Sequence, residues 1–311
     1  VDVLVIGGGP AGLLAATAAA VAGQDVLLVD DHPELGGSLH DLGADRGAGW
    51  IETQAAKLKA AGGEVLTNTT AFGLYDHQTA SLIERRGFTR PARLWRLRAK
   101  RIILATGAID RPLVCAGNDL PGVMSLKAAK AFAGRYGVLP GERLALASNQ
   151  PDLEAVAEHF GALGAEISIF DPTQAPLSFE GRRTLSRVSQ SGSSAAIDAA
   201  LVSSGQTPLL HLWSHAGGTL VWDEQRLALM ADAGPDHLNV VGAAAGFTDD
   251  WAAHDEQATA VGRGETVAPA VVAKPLRSVT LDETEPRRQW IDLQNDVTLK
   301  DIRQSSQEAM T

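Results

Sequence analysis

Two kinds of hydrophobic pattern alternate along the chain. Short unbroken apolar runs, "VDVLVI" (1–6), "DVLLVDD" (25–31), "RIILATG" (101–107), "RLALASN" (143–149), "AEISIFD" (165–171) and "HLNVVG" (237–242), predict strands buried on both faces of a parallel sheet. Between them, longer segments predict helices: "PAGLLAATAAAVAG" (10–23) closed by Gly23, "WIETQAAKLKAA" (50–61) stopped by Gly62 and Gly63, "SLKAAKAFAGRYG" (125–137) and "WAAHDEQATAVGRG" (251–264). The first strand, helix and second strand make one βαβ unit, and residues 143–171 make another.

From 71 to 99 the pattern changes to strict alternation with polar turns ("AFGLYD", "ASLIERR", "RLWRLRA"), which predicts an antiparallel meander. The Pro- and Gly-containing "RPLVCAGNDLPG" (111–122) marks a crossover to a second domain. That domain is expected over 123–235, inserted into a first domain made of 1–122 and 236–311. Within it, "SQSGSSAAIDAALVSSGQTP" (189–208) reads as helix and loop, and "LLHLWSH" with "GTLVWDE" as a strand pair.

Composition narrows the classes. A formal charge of −10 over 311 residues argues against nucleic acid or an anionic membrane as a partner and leaves a small molecule or a protein. One cysteine, Cys115, excludes a disulfide framework, a dithiol mechanism and a thiolate metal site within the chain. No apolar run reaches membrane length and the glycine-broken N-terminus has no basic leader, so a cytoplasmic location is expected. Val1 already stands in a strand and "DVTLKDIRQSSQEAMT" starts a helix without a stop signal, so a longer polypeptide is expected.

The chemistry centres on "VLVIGGGPAGLLAA". Gly7, Gly9 and Gly12 fit the G-x-G-x-x-G turn between a strand and a helix: Gly7 for the turn, Gly9 for approach of a pyrophosphate, Gly12 for helix–strand packing. Pro10 and Ala11 open the helix whose N-terminal N–H groups would meet the phosphates. Asp30 ends the second strand, where a carboxylate accepts from an adenosine ribose and repels a 2′-phosphate, which argues against NADP; Asp31 beside it is a further candidate for the cofactor. Two stretches resemble those where the chain of flavin and disulfide reductases passes close to the dinucleotide: "ELGGSL", which would add Gly36, Gly37 and Ser38, and "ATG", which would add Thr106 and Gly107. The fingerprint does not separate NAD from FAD, which share an ADP half.

The second βαβ turn reads "ASNQPD": Ser148, Asn149 and Pro151 stand where glycines would be, so a second working nucleotide site is not expected. The returning strand ends "VVGAAAGFTDD", with Ala243 where FAD-holding reductases carry an acid, and Asp249 and Asp250 come too late. This favours NAD over FAD.

The fold class is therefore α/β, Rossmann-like, of the FAD/NAD(P)-binding two-dinucleotide-domain type, with an antiparallel meander and an inserted second α/β domain. The stretches "TTAFGLYDHQTASLIERR" (69–86), "ATGAIDRPLVCAGNDLPGVM" (105–124), "RYGVLPGERLALASN" (135–149), "VVGAAAG" (240–246) and "WIDLQNDVTLKDIRQ" (290–304) resemble the α subunit of heterotetrameric sarcosine oxidase. The α subunits of opine and proline dehydrogenases share much of the middle. The resemblance implies NAD held by this chain without hydride turnover, and sarcosine oxidised to glycine at a flavin in a β subunit. It further implies FMN or FAD at the interface with that subunit, other small subunits, and a folate-binding domain beyond this region. It places Thr70 and Ala71 by the adenine and Gly246 by the far end of the dinucleotide. The absence of cysteines from "IDLQNDVTLKDI" favours the sarcosine branch over those with an iron–sulfur centre.

No residue here is expected to be catalytic or to bind metal. Cys115 reads as a buried packing residue, His40 and His77 as surface or hydrogen-bonded residues, and Trp213 and Trp222 as core or contact residues. "ERRGFTRPARLWRLRAKR" (84–101) reads as a solvated basic hairpin, with docking of an acidic partner as the alternative. Two other readings stay open: an FAD-dependent dehydrogenase or stand-alone oxidoreductase, and a binding module with a vestigial loop.

Overall fold

A computed structural model describes residues 1–43, 47–151, 153–247, 251–268 and 274–308. Strand β1 (Val3–Ile6) leads into helix α1 (Pro10–Val21) and strand β2 (Val26–Val29), followed by α2 (Ala48–Ala60) and β3 (Glu64–Leu66). Each residue of β1 and β2 is buried, as expected for strands covered on both faces. The meander β4 (Thr69–Tyr75), β5 (Thr79–Glu84) and β6 (Arg93–Arg98) forms a three-stranded antiparallel sheet and crosses to β7 (Arg101–Leu104).

From β8 (Ala108–Asp110) the chain passes to a second unit. There β9 (Val123–Ser125), α3 (Leu126–Tyr136), β10 (Arg143–Ser148), α4 (Leu153–Ala162) and β11 (Glu166–Phe170) are followed by a second antiparallel meander, β12 (Leu177–Gly181), β13 (Leu185–Gln190) and β14 (Ser193–Ala196). It returns through β15 (Ala199–Ser203) and β16 (Gln206–Pro208). The outgoing β8 and returning β16 pair antiparallel, so the two crossings form one two-stranded junction. A short helix α5 (His211–His215), the hairpin β17 (Leu220–Asp223) and β18 (Ala228–Ala231), β19 (Leu238–Val240) and α6 (Trp251–Arg263) complete the first unit. Strands β20 (Trp290–Asp292) and β21 (Val297–Thr298) and helix α7 (Leu299–Gln307) follow.

The two parallel sheets run β19-β7-β1-β2-β3 and β11-β10-β15-β9. Each therefore has the first strand of its βαβ unit, β1 or β10, inside the sheet, beside the point where strand order reverses. Helix α6 lies along α1 because Gly262 meets the Ala15 carbonyl with no room for a Cβ. The Arg101 guanidinium, half-buried and with its pKa lowered by that burial, caps the end of α6 by donating to Val261 O and to Gly262 O at 2.6 Å.

Two expectations change. Residues 189–208 are not helix and loop: β15, fully buried and paired to both β10 and β9, is a central strand. Its Ala-Ala-Leu-Val-Ser sequence has weak strand propensity, and burial between two neighbours overrides it. "LLHLWSH" forms helix α5, and the partner of β17 is β18. Leu210 and Trp213 pack with Leu4, Ile102 and Leu238 of the first unit, whereas Val279 packs with the second unit's core. Gln289 and Trp290 bond to the second unit through Asn118 and a bridge to Ala116. No described helix is long and apolar enough to cross a membrane.

Candidate functional site

The first glycine turn is built so that backbone alone faces the cleft. Gly7 adopts φ 110°, open only to glycine at low cost, and a Cβ there would overlap Ala105 O. A Cβ on Gly12 would run into Gly7 O and crowd Ala105. These two glycines let α1 start directly against β1 and β7. Gly9 differs: a Cβ there would meet only Gly37 Cα, at 3.9 Å, so its bareness leaves room for a ligand. Gly9 is the N-cap of α1 and no side chain caps it; Pro10 carries no N–H, and Leu13 is the first residue to bond back, to Gly9 O at 2.9 Å. The N–H groups of Ala11 and Gly12 are the orphan donors of the helix mouth, where its positive end favours an anion by about 0.3–1 kcal/mol per charge when exposed.

Asp30 stands at the end of β2, 8% exposed. One carboxylate oxygen accepts from the backbone N–H of Gly8 and the other from that of His32 at 2.8 Å. The acid thus ties the glycine loop to the second strand, and each oxygen keeps a lone pair for a hydroxyl. Gly8 carries a role the fingerprint does not assign: a side chain there would strike Leu35 and the Asp30 carboxylate. Asp31 is exposed and pairs with His32 at 2.8 Å.

The turn at Gly36 (φ 122°) brings its N–H to Gly8 O at 2.8 Å and places Gly37 against Gly9. Of the expected residues, Gly7, Gly9, Pro10, Ala11, Asp30, Asp31, Gly37, Ser38, Thr70, Ala71, Thr106, Gly107 and Gly246 line one cleft of about 1750 Å³. Gly12 and Gly36 lie behind its wall and shape it. Thr106 spends its hydroxyl on Leu209 O at 2.7 Å, so it positions the strand end. At the far end the Gly242 N–H goes to Gln257 Oε1 at 3.0 Å, while Ala243 lines the cleft with no acid in its place. Asp249 and Asp250 lie outside the described residues.

The sequence reading missed the opposite wall. Lys127, Lys130 and Arg135 of α3 face the cleft, and Lys127 N–H donates to Asp110 Oδ2 at 2.7 Å. Burial raises the Asp110 carboxyl above its ordinary range, with the Lys127 contacts acting against it. The spacing of the three cations in "SLKAAKAFAGRYG" was the available signal, but only the topology shows that this helix turns back toward the first sheet.

The second turn bonds within the chain, although its Gln150 and Pro151 line the same cleft. Gln150 donates to Ser203 Oγ at 2.7 Å and its N–H to Ser148 Oγ at 3.0 Å. Asn149 donates to Arg277 O at 2.8 Å. Asp171 follows β11 as Asp30 follows β2, yet it accepts from Thr173 and pairs with Arg277 at 3.1 Å. Segment 276–280 crosses this sheet edge, with Thr280 N–H on Pro172 O at 2.8 Å.

Fold and site together define a protein of the FAD/NAD(P)-binding oxidoreductase fold. Residues 2–57 match the family described as FAD dependent oxidoreductase. Among solved structures, L-proline dehydrogenase from P. horikoshii superposes with a TM-score of 0.78 at 22% identity, covering 99% of this chain and 66% of that one. Thioredoxin reductase from Lactococcus lactis superposes at 0.61 and 17% identity, over 84% of this chain and 95% of that one.

In sequence the chain is related almost from end to end to α subunits of sarcosine oxidase. It is 33% identical to that of Rhizobium meliloti (strain 1021) and 30% identical to that of Corynebacterium sp. (strain P-1), over 97% of this chain in each case. An opine oxidase subunit of Rhizobium meliloti (strain 1021) is 32% identical over 56% of this chain and 39% of its own length. The chain spans 35% and 38% of the length of the two sarcosine oxidase subunits.

Proposed function

We propose that this chain is the dinucleotide-holding region of the α subunit of a hetero-oligomeric sarcosine oxidase, and that its dinucleotide is NAD. The observation that carries the reading is the junction of three elements at one point: the uncapped α1 mouth, bare Gly9, and an Asp30 carboxylate fixed by Gly8 and His32. Gly7, Gly9 and the first N–H groups of α1 would take the diphosphate, and Asp30 the adenosine ribose. Thr70 and Ala71 would lie by the adenine and Gly246 by the other end. Asp30 and Asp31 side by side repel a 2′-phosphate, which supports NAD over NADP.

A nicotinamide dinucleotide supplies a hydride acceptor when bound. No side chain in the cleft is assigned a proton-transfer role, so this chain's part is to bind, orient and shield the dinucleotide. Oxidation of the N-methyl amine is assigned to a flavin held by or shared with a β subunit, and further subunits and a folate-binding domain complete the assembly in this reading. The first unit is the dinucleotide-binding domain and the second an inserted domain whose nucleotide turn is closed. The match of residues 2–57 to FAD dependent oxidoreductases favours a second reading, in which the cleft holds FAD; Ala243 in place of an acid weighs against it. Denaturing the purified protein and identifying the released ligand by mass separates them. NAD supports the proposal, FAD replaces it, and the absence of any dinucleotide after incubation with both overturns both.

A further inference from the structure

We propose that helix α3, although it belongs to the second unit, is the outer jaw of the first unit's dinucleotide site, with Arg135 as the positioning residue that fixes the Gly36–Ser38 turn. The inference rests on the dinucleotide reading and adds a residue and an element to it.

The geometry links Arg135 to the helix mouth in two steps. Its Nη2 donates to Gly37 O at 2.7 Å, and the guanidinium leans on Asp41 at 3.9 Å. Gly37 in turn backs onto Gly9, for a Cβ on Gly37 would stand 3.0 Å from Gly9 Cα. Because C=O and the following N–H point in opposite directions across a trans peptide, holding Gly37 O also fixes where the Ser38 N–H points.

The same helix grips the rest of the loop. Leu42 N–H donates to Lys130 O at 2.8 Å, and Gly134 lies so close to His40 O that no side chain fits between. Meanwhile α3 is anchored in the second unit through Leu126, Ala129 and Ala133, packed with Leu144 and Phe160 of that core. The ion pair alone does not explain Arg135, since Asp41 is the more distant partner and is a carboxyl whose pKa burial raises, against Lys127, Arg135 and Lys130. Lys127 and Lys130 line the same wall and make it cationic, in a chain of net charge −10, where a dianionic diphosphate would face it.

The second unit thereby keeps a function after its own nucleotide turn has closed. Its fold supplies a rigid arm to a neighbouring site, so dinucleotide affinity depends on how the two units are docked.

The test compares Arg135→Ala, Arg135→Lys and Arg143→Ala in the full chain, stripped of ligand and titrated with NAD. Arg143 serves as the control because it pairs with Asp198 on the exposed side of the second unit. The expected result is a dissociation constant raised about tenfold in Arg135→Ala, the size of losing one charge-assisted hydrogen bond. Arg135→Lys should recover most of it, since one donor to Gly37 O suffices, and Arg143→Ala should bind as the wild type does. Unchanged binding by Arg135→Ala overturns the proposal. So does equal weakening by Ala and Lys, which would mark a merely structural residue. A wild-type chain that takes neither NAD nor FAD sinks the underlying dinucleotide reading, and that failure is visible before any variant is made.

Discussion

The two units of this chain share a plan and differ at one turn. Both run strand, helix, strand, antiparallel meander, strand, the first with α2 and β3 added before its meander, and both carry an aspartate at the end of the second strand, Asp30 and Asp171. In the first, bare backbone and an uncapped helix face a cleft. In the second, Gln150 bonds across to Ser203, Asn149 holds Arg277 O, and Arg277 neutralises Asp171. The difference teaches that the polar groups of a Rossmann-like turn can be met largely from within the chain, only the buried Asn149 Oδ1 of this turn being left without a partner among the described residues.

The comparison breaks most readily at the glycines. Gly12→Ala forces a methyl group into Gly7 O, so it should abolish dinucleotide binding and cost about 1–3 kcal/mol of stability; ligand titration and thermal unfolding read the two effects. A next, smaller effect is expected from Asp30→Asn, which turns an amide toward the N–H of Gly8 or His32. Affinity should fall by about tenfold to a hundredfold, the range for losing hydrogen bonds to a charged acceptor. Its counterpart Asp171→Asn removes a largely exposed pair and should leave binding unchanged, at a cost of about 0–1 kcal/mol.

Installing the missing glycines sharpens the contrast. The double variant Asn149→Gly, Pro151→Gly should still bind one dinucleotide per chain by equilibrium dialysis, because Gln150 and segment 276–280 continue to fill the second edge. A second bound equivalent would show that glycine content alone separates the units.

The smallest effect lies at the junction between them. Burial raises the Asp110 pKa above 3.8, so the native state keeps its proton at pH values where the unfolded chain has lost it. Native stability should therefore fall as pH climbs from 3.8 to the folded pKa and level off beyond. Asp110→Asn lacks this pH dependence. Its melting temperature relative to the wild type should rise across that window and then stay constant, measured between about pH 4 and pH 7.

Much of the first site was legible because its determinants are local. Gly7, Gly9 and Gly12 owe their roles to φ and to contacts within one βαβ unit, and Asp30 follows its strand directly. Strand β15 was misread because Ala and Ser carry little strand signal and its neighbours β10 and β9 are distant in sequence. Helix α5 was misread because apolar residues around His211 and His215 fit either period over so short a run. Gly8 went unassigned because its constraint, Leu35 and Asp30, comes from the other end of the unit.

By itself the sequence determined that a G-x-G-x-x-G turn stands at residues 7–12, that the turn at 148–151 lacks its glycines, and that an acid ends the second strand, since each rests on short-range spacing. Only the tertiary structure decided that α3 of the second unit borders the first unit's cleft, that residues 276–280 cover the second sheet edge, and that Trp213 packs beneath the first sheet. These are contacts between segments far apart along the chain. They are set by how two hydrophobic cores dock, a property that no local pattern encodes.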